Sequence, residues 1–165
     1  MTLLRIDATI QGPASASAAL ADLVLDEFRA VRPDVPVVNR HLGVDPLPAD
    51  AWANAVHAGF VAEDERTPAQ REGLALAAEL AAELQAADVV VLALPLYNFG
   101  VSQHAKAWFD LVLAGAPHGT RLLEGKPVVL ITTRGGAYGA GTPARAGTTA
   151  PTTCAGSSWT SGERT

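Results

Sequence analysis

One cysteine, Cys154, in 165 residues excludes an intrachain disulfide. The four histidines, His41, His57, His104 and His118, are scattered and lack the spacing of metal ligands. No apolar run approaches the roughly 18 residues of a membrane span, and Met1 leads directly into a strand pattern rather than a signal peptide. A net charge of -5 provides no basic face for nucleic acid. There is no G-x-S-x-G elbow for a serine nucleophile, no Walker lysine and no G-x-G-x-x-G dinucleotide fingerprint. These absences leave a soluble cytoplasmic protein with neither a nucleic-acid nor a membrane partner as the expectation. What is present is a composition 48% hydrophobic and 18% charged, enough for one domain with a sizeable core and too apolar for disorder.

Strand and helix patterns alternate. Leu3 to Asp7 is a short strand, and Ser17 to Val31 a helix with Leu20, Leu23, Val24 and Phe28 on one face. Val35 to Arg40 is a second strand, and Ala49 to Ala62 a further helix. Thr67-Pro68-Ala69-Gln70 opens a helix reaching Ala86, with threonine as cap, proline at the first position and glutamine three residues on. Its predicted sheet-facing residues are Leu74, Ala77, Ala78, Ala81 and Leu84. Asp88 to Leu94 is apolar on both faces, as a central parallel strand must be. A helix over Ser102 to Ala114 and a strand over Pro127 to Thr133, also read as apolar on both faces, complete the regular part. Alternation of this kind calls for a parallel sheet with right-handed crossovers and helices on both sides. The expected order is 2-1-3-4, a doubly wound three-layer α/β/α arrangement lacking its fifth strand and last helix. There are no internal repeats.

In such sheets a ligand lies beyond the carboxyl ends of the strands. Three loops occupy that position. After the first strand come Thr9, Gly12, Ser15, Ala16 and Ser17, where hydroxyls and backbone N–H groups can surround an anion at a positive helix end. The lack of a lysine there suits a phosphate monoester held permanently; a plain helix cap at Ser15 or Ser17 explains the same residues equally well. Beyond the buried third strand, Pro95-Leu96-Tyr97-Asn98-Phe99-Gly100 offers backbone groups and the Asn98 amide to a flat ring, with Tyr97 and Phe99 as walls. The plainer alternative has these aromatics merely capping the sheet. Beyond the last strand, Thr132-Thr133-Arg134-Gly135-Gly136-Ala137-Tyr138-Gly139 permits close backbone approach and places Arg134 near a ring edge, or is simply a glycine-rich turn. His104 reads as a half-exposed helix residue, and Trp52 and Trp108 as core or interface.

At these loops the sequence resembles the FMN-dependent NADH-azoreductase and quinone-reductase family of flavodoxin-like enzymes. Pro95-Leu96-Tyr97-Asn98-Phe99-Gly100-Val101-Ser102, followed by Lys106-Ala107-Trp108-Phe109-Asp110, is similar to its central signature, and Arg134-Gly135-Gly136 to its second flavin loop. Thr9, Ser15 and Ser17 fall where the family places hydroxyls around the FMN phosphate. The resemblance implies a homodimer holding FMN near the subunit interface, NADH or NADPH as electron donor, and a quinone or azo compound as acceptor. It implies no catalytic side chain, since the flavin carries the chemistry. The implied cofactor-binding residues are Thr9, Ser15, Ala16, Ser17, Pro95, Leu96, Tyr97, Asn98, Phe99, Thr133, Arg134, Gly135 and Gly136, with Tyr97 and Phe99 shaping the substrate slot. A non-catalytic FMN-binding electron carrier, or an inactive remnant, is the alternative. The segment Ala114 to Lys126 is shorter than in many relatives.

The resemblance covers residues 1–143, the expected domain. Residues 144–165 are rich in Thr, Ser, Gly and Ala without periodicity and read as an irregular, disordered tail. With GC-rich codons, the stretch from Arg145 read two bases later can spell GWDHRPDYLRGLVLDVWGAD, which resembles the family's continuation. The expectation is therefore a frameshifted end that impairs the enzyme, rather than a natural short form, testable on the coding DNA.

Overall fold

A computed structural model describes residues 1–136. Four parallel strands form the main sheet: β1 (Leu3–Asp7), β2 (Val37–His41), β3 (Val89–Ala93) and β6 (Val128–Ile131), in the order β2-β1-β3-β6. This is the expected 2-1-3-4 arrangement. Leu3 stands opposite Val37 on one side and Val89 on the other, and Val90 opposite Val128. All four strands therefore deliver their following loops to one edge. Between β3 and β6 lies a two-stranded hairpin, β4 (Leu96–Tyr97) and β5 (Gly100–Val101), where the sequence suggested only an irregular loop.

Helix α1 (Ala16–Val31) covers one face of the sheet. Helices α2 (Ala51–Ala58), α3 (Pro68–Ala86) and α4 (Gln103–Gly115) lie on the other. Side chains alternate between these layers along β1: Leu4, Ile6 and the following Ala8 join the α2–α3–α4 core, whereas Leu3 packs with Ala21 and Leu25 of α1. The predicted capping box at Thr67 and Gln70 is present. Ser102 caps α4 by accepting a hydrogen bond from Ala105 N at 3.2 Å.

Several predicted faces need correction. On α1, Ser17, Ala21 and Leu25 are buried with Val24 and Phe28 beside them, while Leu20 and Leu23 are exposed. Counting leucines tilted the apolar stripe away from the small residues that actually meet the sheet. On α3, Ala78 is exposed, Leu80 is buried in its place with Ala77, Ala81 and Leu84, Leu74 is partly buried against the same core, and Gly73 is buried against α2. Strand β6 is not buried on both faces: Val129 and Leu130 are about one-third exposed. It pairs with β3 alone among the described residues, whereas β3 is enclosed on both sides and deeply buried. Trp108 is core, but Trp52 is half exposed. The end of the last predicted loop (Ala137 to Gly139), the expected domain boundary at 143/144, the tail and Cys154 lie outside the described residues.

Candidate functional site

The three predicted loops meet at the carboxyl edge of the sheet, and hydrogen bonds join them. Leu96 N donates to Thr133 O at 2.8 Å, linking the hairpin to the loop after β6. The Tyr97 hydroxyl lies 3.3 Å from Thr9 Oγ1 and accepts from Ile10 N at 3.2 Å, linking the hairpin to the loop after β1. Tyr97 thus serves as a strut between these two loops.

The first loop turns through a short 3₁₀ segment, Gly12–Ala14, into α1. Ser15 caps this helix, its Oγ accepting from Ala18 N at 3.2 Å and lying 3.0 Å from Ser17 Oγ. The cap explanation for Ser15 is therefore correct, and it is compatible with an anion site. A helix leaves its first amides without intrahelical acceptors, so Ala16 N and Ser17 N point out of the helix end. Thr9, Ser15 and Ser17 are all buried hydroxyl residues, and Thr9 Oγ1 also accepts from Gln11 N at 3.1 Å. No acidic residue lies in the first turn of α1.

The hairpin turn is Asn98-Phe99, with φ of 48° and 69°. Positive φ at both central residues is what a two-residue type I′ turn requires, because its twist matches that of the flanking strands. Asparagine tolerates this region, but phenylalanine does so at a cost. Phe99 is nevertheless held there, half exposed at the tip, with Pro95 and Leu96 at the hairpin base. Thr133, Arg134, Gly135 and Gly136 follow β6 on the same edge; the last three are exposed, and a Cβ built on Gly135 meets nothing within 4 Å.

Sequence reasoning missed a charged group beneath the first loop. Arg5 and Asp7 are almost fully buried on the α1 side of the central strand β1. Arg5 Nε lies 2.8 Å from Asp7 Oδ2, and Asp7 Oδ2 is 3.2 Å from His41 Nδ1. Two charges spaced i, i+2 on a strand share a face, which was the available signal. Gly43 was also missed: a Cβ there would stand 1.8 Å from Thr9 O, so the chain after β2 presses directly against the first loop. Among the described residues no group of His, Cys, Asp and Glu could hold a metal ion, and no helix is long and apolar enough to cross a membrane.

A parallel 2-1-3-4 sheet with three connected loops at its carboxyl edge defines a doubly wound α/β protein, a class whose ligands lie at that edge. The family model for the flavodoxin-like fold matches residues 1–153, and the chain belongs to that family. It is 41% identical over 146 residues to an FMN-dependent NADH:quinone oxidoreductase of Frankia alni, covering 86% of this chain and 69% of that protein. A protein of the same name from Methylorubrum extorquens is 39% identical over 153 residues, covering 88% and 74%. Among solved structures, an azoreductase from Bacillus anthracis superposes with a TM-score of 0.76 at 23% identity, over 95% of this chain and 80% of that one. An FMN-dependent NADH-azoreductase from the same species, solved in complex with FMN, gives 0.75 at 17% identity, covering 93% and 79%. At those identities the solved structures speak to the fold.

Proposed function

We propose that this chain is an FMN-dependent oxidoreductase that passes two electrons from NADH or NADPH to a quinone or azo compound, working as a cytoplasmic homodimer. The observation that carries this reading is the junction of the three loops through Tyr97–Thr9 and Leu96–Thr133, at the sheet edge where such folds bind ligands. Similarity to proteins named FMN-dependent NADH:quinone oxidoreductase supports it.

The residues present fit FMN. Thr9, Ser15 and Ser17 supply hydroxyls, and Ala16 and Ser17 supply outward amides, at the positive end of a 16-residue helix. That set suits a phosphate monoester. Pro95 to Phe99 would hold one edge of the ring system through backbone groups and the Asn98 amide, and Thr133 to Gly136 the other. Phe99 at the turn tip, with Tyr97 behind it, would border the slot for the nicotinamide or the acceptor. The chemistry that FMN supplies when bound is two-electron transfer, so the protein's task is to bind, orient and exclude competing reactions.

The full-length protein, purified aerobically, is expected to be yellow. NADH should bleach it under anaerobic conditions, and a quinone should restore the oxidised spectrum. A yellow protein inert to NADH and NADPH would identify an electron carrier instead. A protein that binds no FMN refutes the reading.

A further inference from the structure

We infer that Arg5 is a positioning residue that clamps the first turn of α1 to the end of β1 and neutralises Asp7, so that the adjoining loop can hold a phosphate. The inference rests on the proposed assignment of Thr9 and Ser15 to Ser17 as the phosphate cradle.

The argument starts from burial. Arg5 is 3% exposed and Asp7 1%, both facing α1 from the central strand. Charges this deep are rare unless paired, and a paired set has to repay the loss of hydration. Asp7 comes two residues before Thr9 and shares Arg5 Nη2 with Ala18 O in the first turn of α1, a helix whose positive pole attracts anions. Left uncompensated, its carboxylate would compete for that pole and repel a phosphate dianion. Arg5 answers Asp7 with Nε 2.8 Å from Oδ2 and Nη2 3.3 Å from Oδ1.

The same guanidinium reaches α1 twice. Nη2 donates to Ala18 O at 3.2 Å, and Nη1 to Asp22 Oδ1 at 2.5 Å. Ala18 is the residue whose amide is capped by Ser15 Oγ, and Ser15 Oγ in turn contacts Ser17 Oγ. One planar fork therefore fixes the helix turn bearing both serines relative to the strand bearing Asp7 and, two residues on, Thr9. Lysine, a point charge with a single nitrogen, cannot bridge all three partners in the same way. Burial alone would lower the Arg5 pKa, but hydrogen bonds to Asp22 and Asp7 outweigh it and hold the group above the usual arginine range. Asp22 is largely exposed, so the outer arm of the clamp can be cut without opening the core.

The test compares FMN with riboflavin, which differs only by the phosphate. Apoprotein of the full chain is titrated with each flavin by fluorescence quenching, for the native protein, Arg5→Lys and Asp22→Asn. The native chain should prefer FMN by at least about tenfold. Arg5→Lys should erase most of that preference while riboflavin affinity changes by less than about twofold, and Asp22→Asn should weaken it about threefold. If Arg5→Lys fails to fold by circular dichroism, the Asp22→Asn ratio decides. Equal loss for both flavins, or an unchanged ratio in the folded variants, overturns the clamp. A native chain that binds riboflavin as well as FMN overturns the phosphate-cradle assignment, and the clamp with it.

Discussion

Replacing Gly43 by alanine perturbs the candidate site without changing the identity of any residue assigned to the ligand. The added Cβ would lie 1.8 Å from Thr9 O and 2.7 Å from Thr9 C, both backbone atoms that cannot swing aside. Relief requires the two loops to part by roughly 1.2 Å, and overpacking of this kind costs about 1–3 kcal/mol. Such a shift also breaks the bond from Leu42 N to Asp7 O at 2.8 Å and the Thr9 Oγ1 contact with Tyr97 at 3.3 Å. Each lost hydrogen bond adds about 0.5–1.5 kcal/mol. A total of about 2–6 kcal/mol is a large part of a domain stability of about 5–15 kcal/mol. With a urea m-value of about 2 kcal/mol/M, the unfolding midpoint should fall by roughly 1–3 M at unchanged m. Because Thr9 itself moves, FMN affinity measured where the variant is still folded should drop by at least about tenfold. Gly115→Ala is the matched control. Its Cβ would meet Ala77 O at 1.9 Å where α4 crosses α3, so it should lower the midpoint similarly and leave FMN affinity of the folded protein intact. An unchanged midpoint and affinity for Gly43→Ala, or equal affinity losses in the two variants, would refute the reasoning.

Tyr97→Phe removes the hydroxyl that bridges Thr9 and Ile10, and should cost about 1 kcal/mol in urea unfolding while weakening FMN binding several-fold. Phe99→Gly relieves a left-handed phenylalanine at φ 69° and should raise stability by about 1 kcal/mol in thermal unfolding. The same change should raise the KM for the acceptor, since the slot loses an aromatic wall; a less stable variant would show that the turn is not strained. Arg40 binds Glu83 in a fork and also reaches Glu79, hydrogen bonds to Glu83 being the chief reason its pKa is raised. Arg40→Gln should cost about 1 kcal/mol at low salt and less at high salt, because the cluster is only partly shielded.

The order of elements was legible because each carries a local signal. The Thr67–Gln70 capping box, the unbroken apolar run of β3 and the proline after it depend only on neighbouring residues. Parallel order followed from the alternation of strand and helix. The misread faces of α1 and α3 have one cause: hydrophobicity marks candidates for burial, whereas the facing element selects whichever residues permit closest approach. Ala21 therefore packs toward the sheet and Gly73 against α2, while Leu20 stays exposed.

Taken alone, the sequence determined that three loops follow strand ends and which of their residues could meet a phosphate and a flat ring. The tertiary structure decided how those loops are held. Nothing near Pro95 in the chain specifies that Tyr97 will brace Thr9, 88 positions away, or that Leu96 will bond Thr133. Nothing near Gly43 specifies a carbonyl that excludes any side chain there. Arg5 and Asp7 look like ordinary strand residues until α1 closes over them and makes a buried ion pair that a surface strand would leave to water. Periodicity, capping and turn chemistry are short-range effects written into consecutive residues. Burial, close approach and charge pairing arise only when distant segments share one volume.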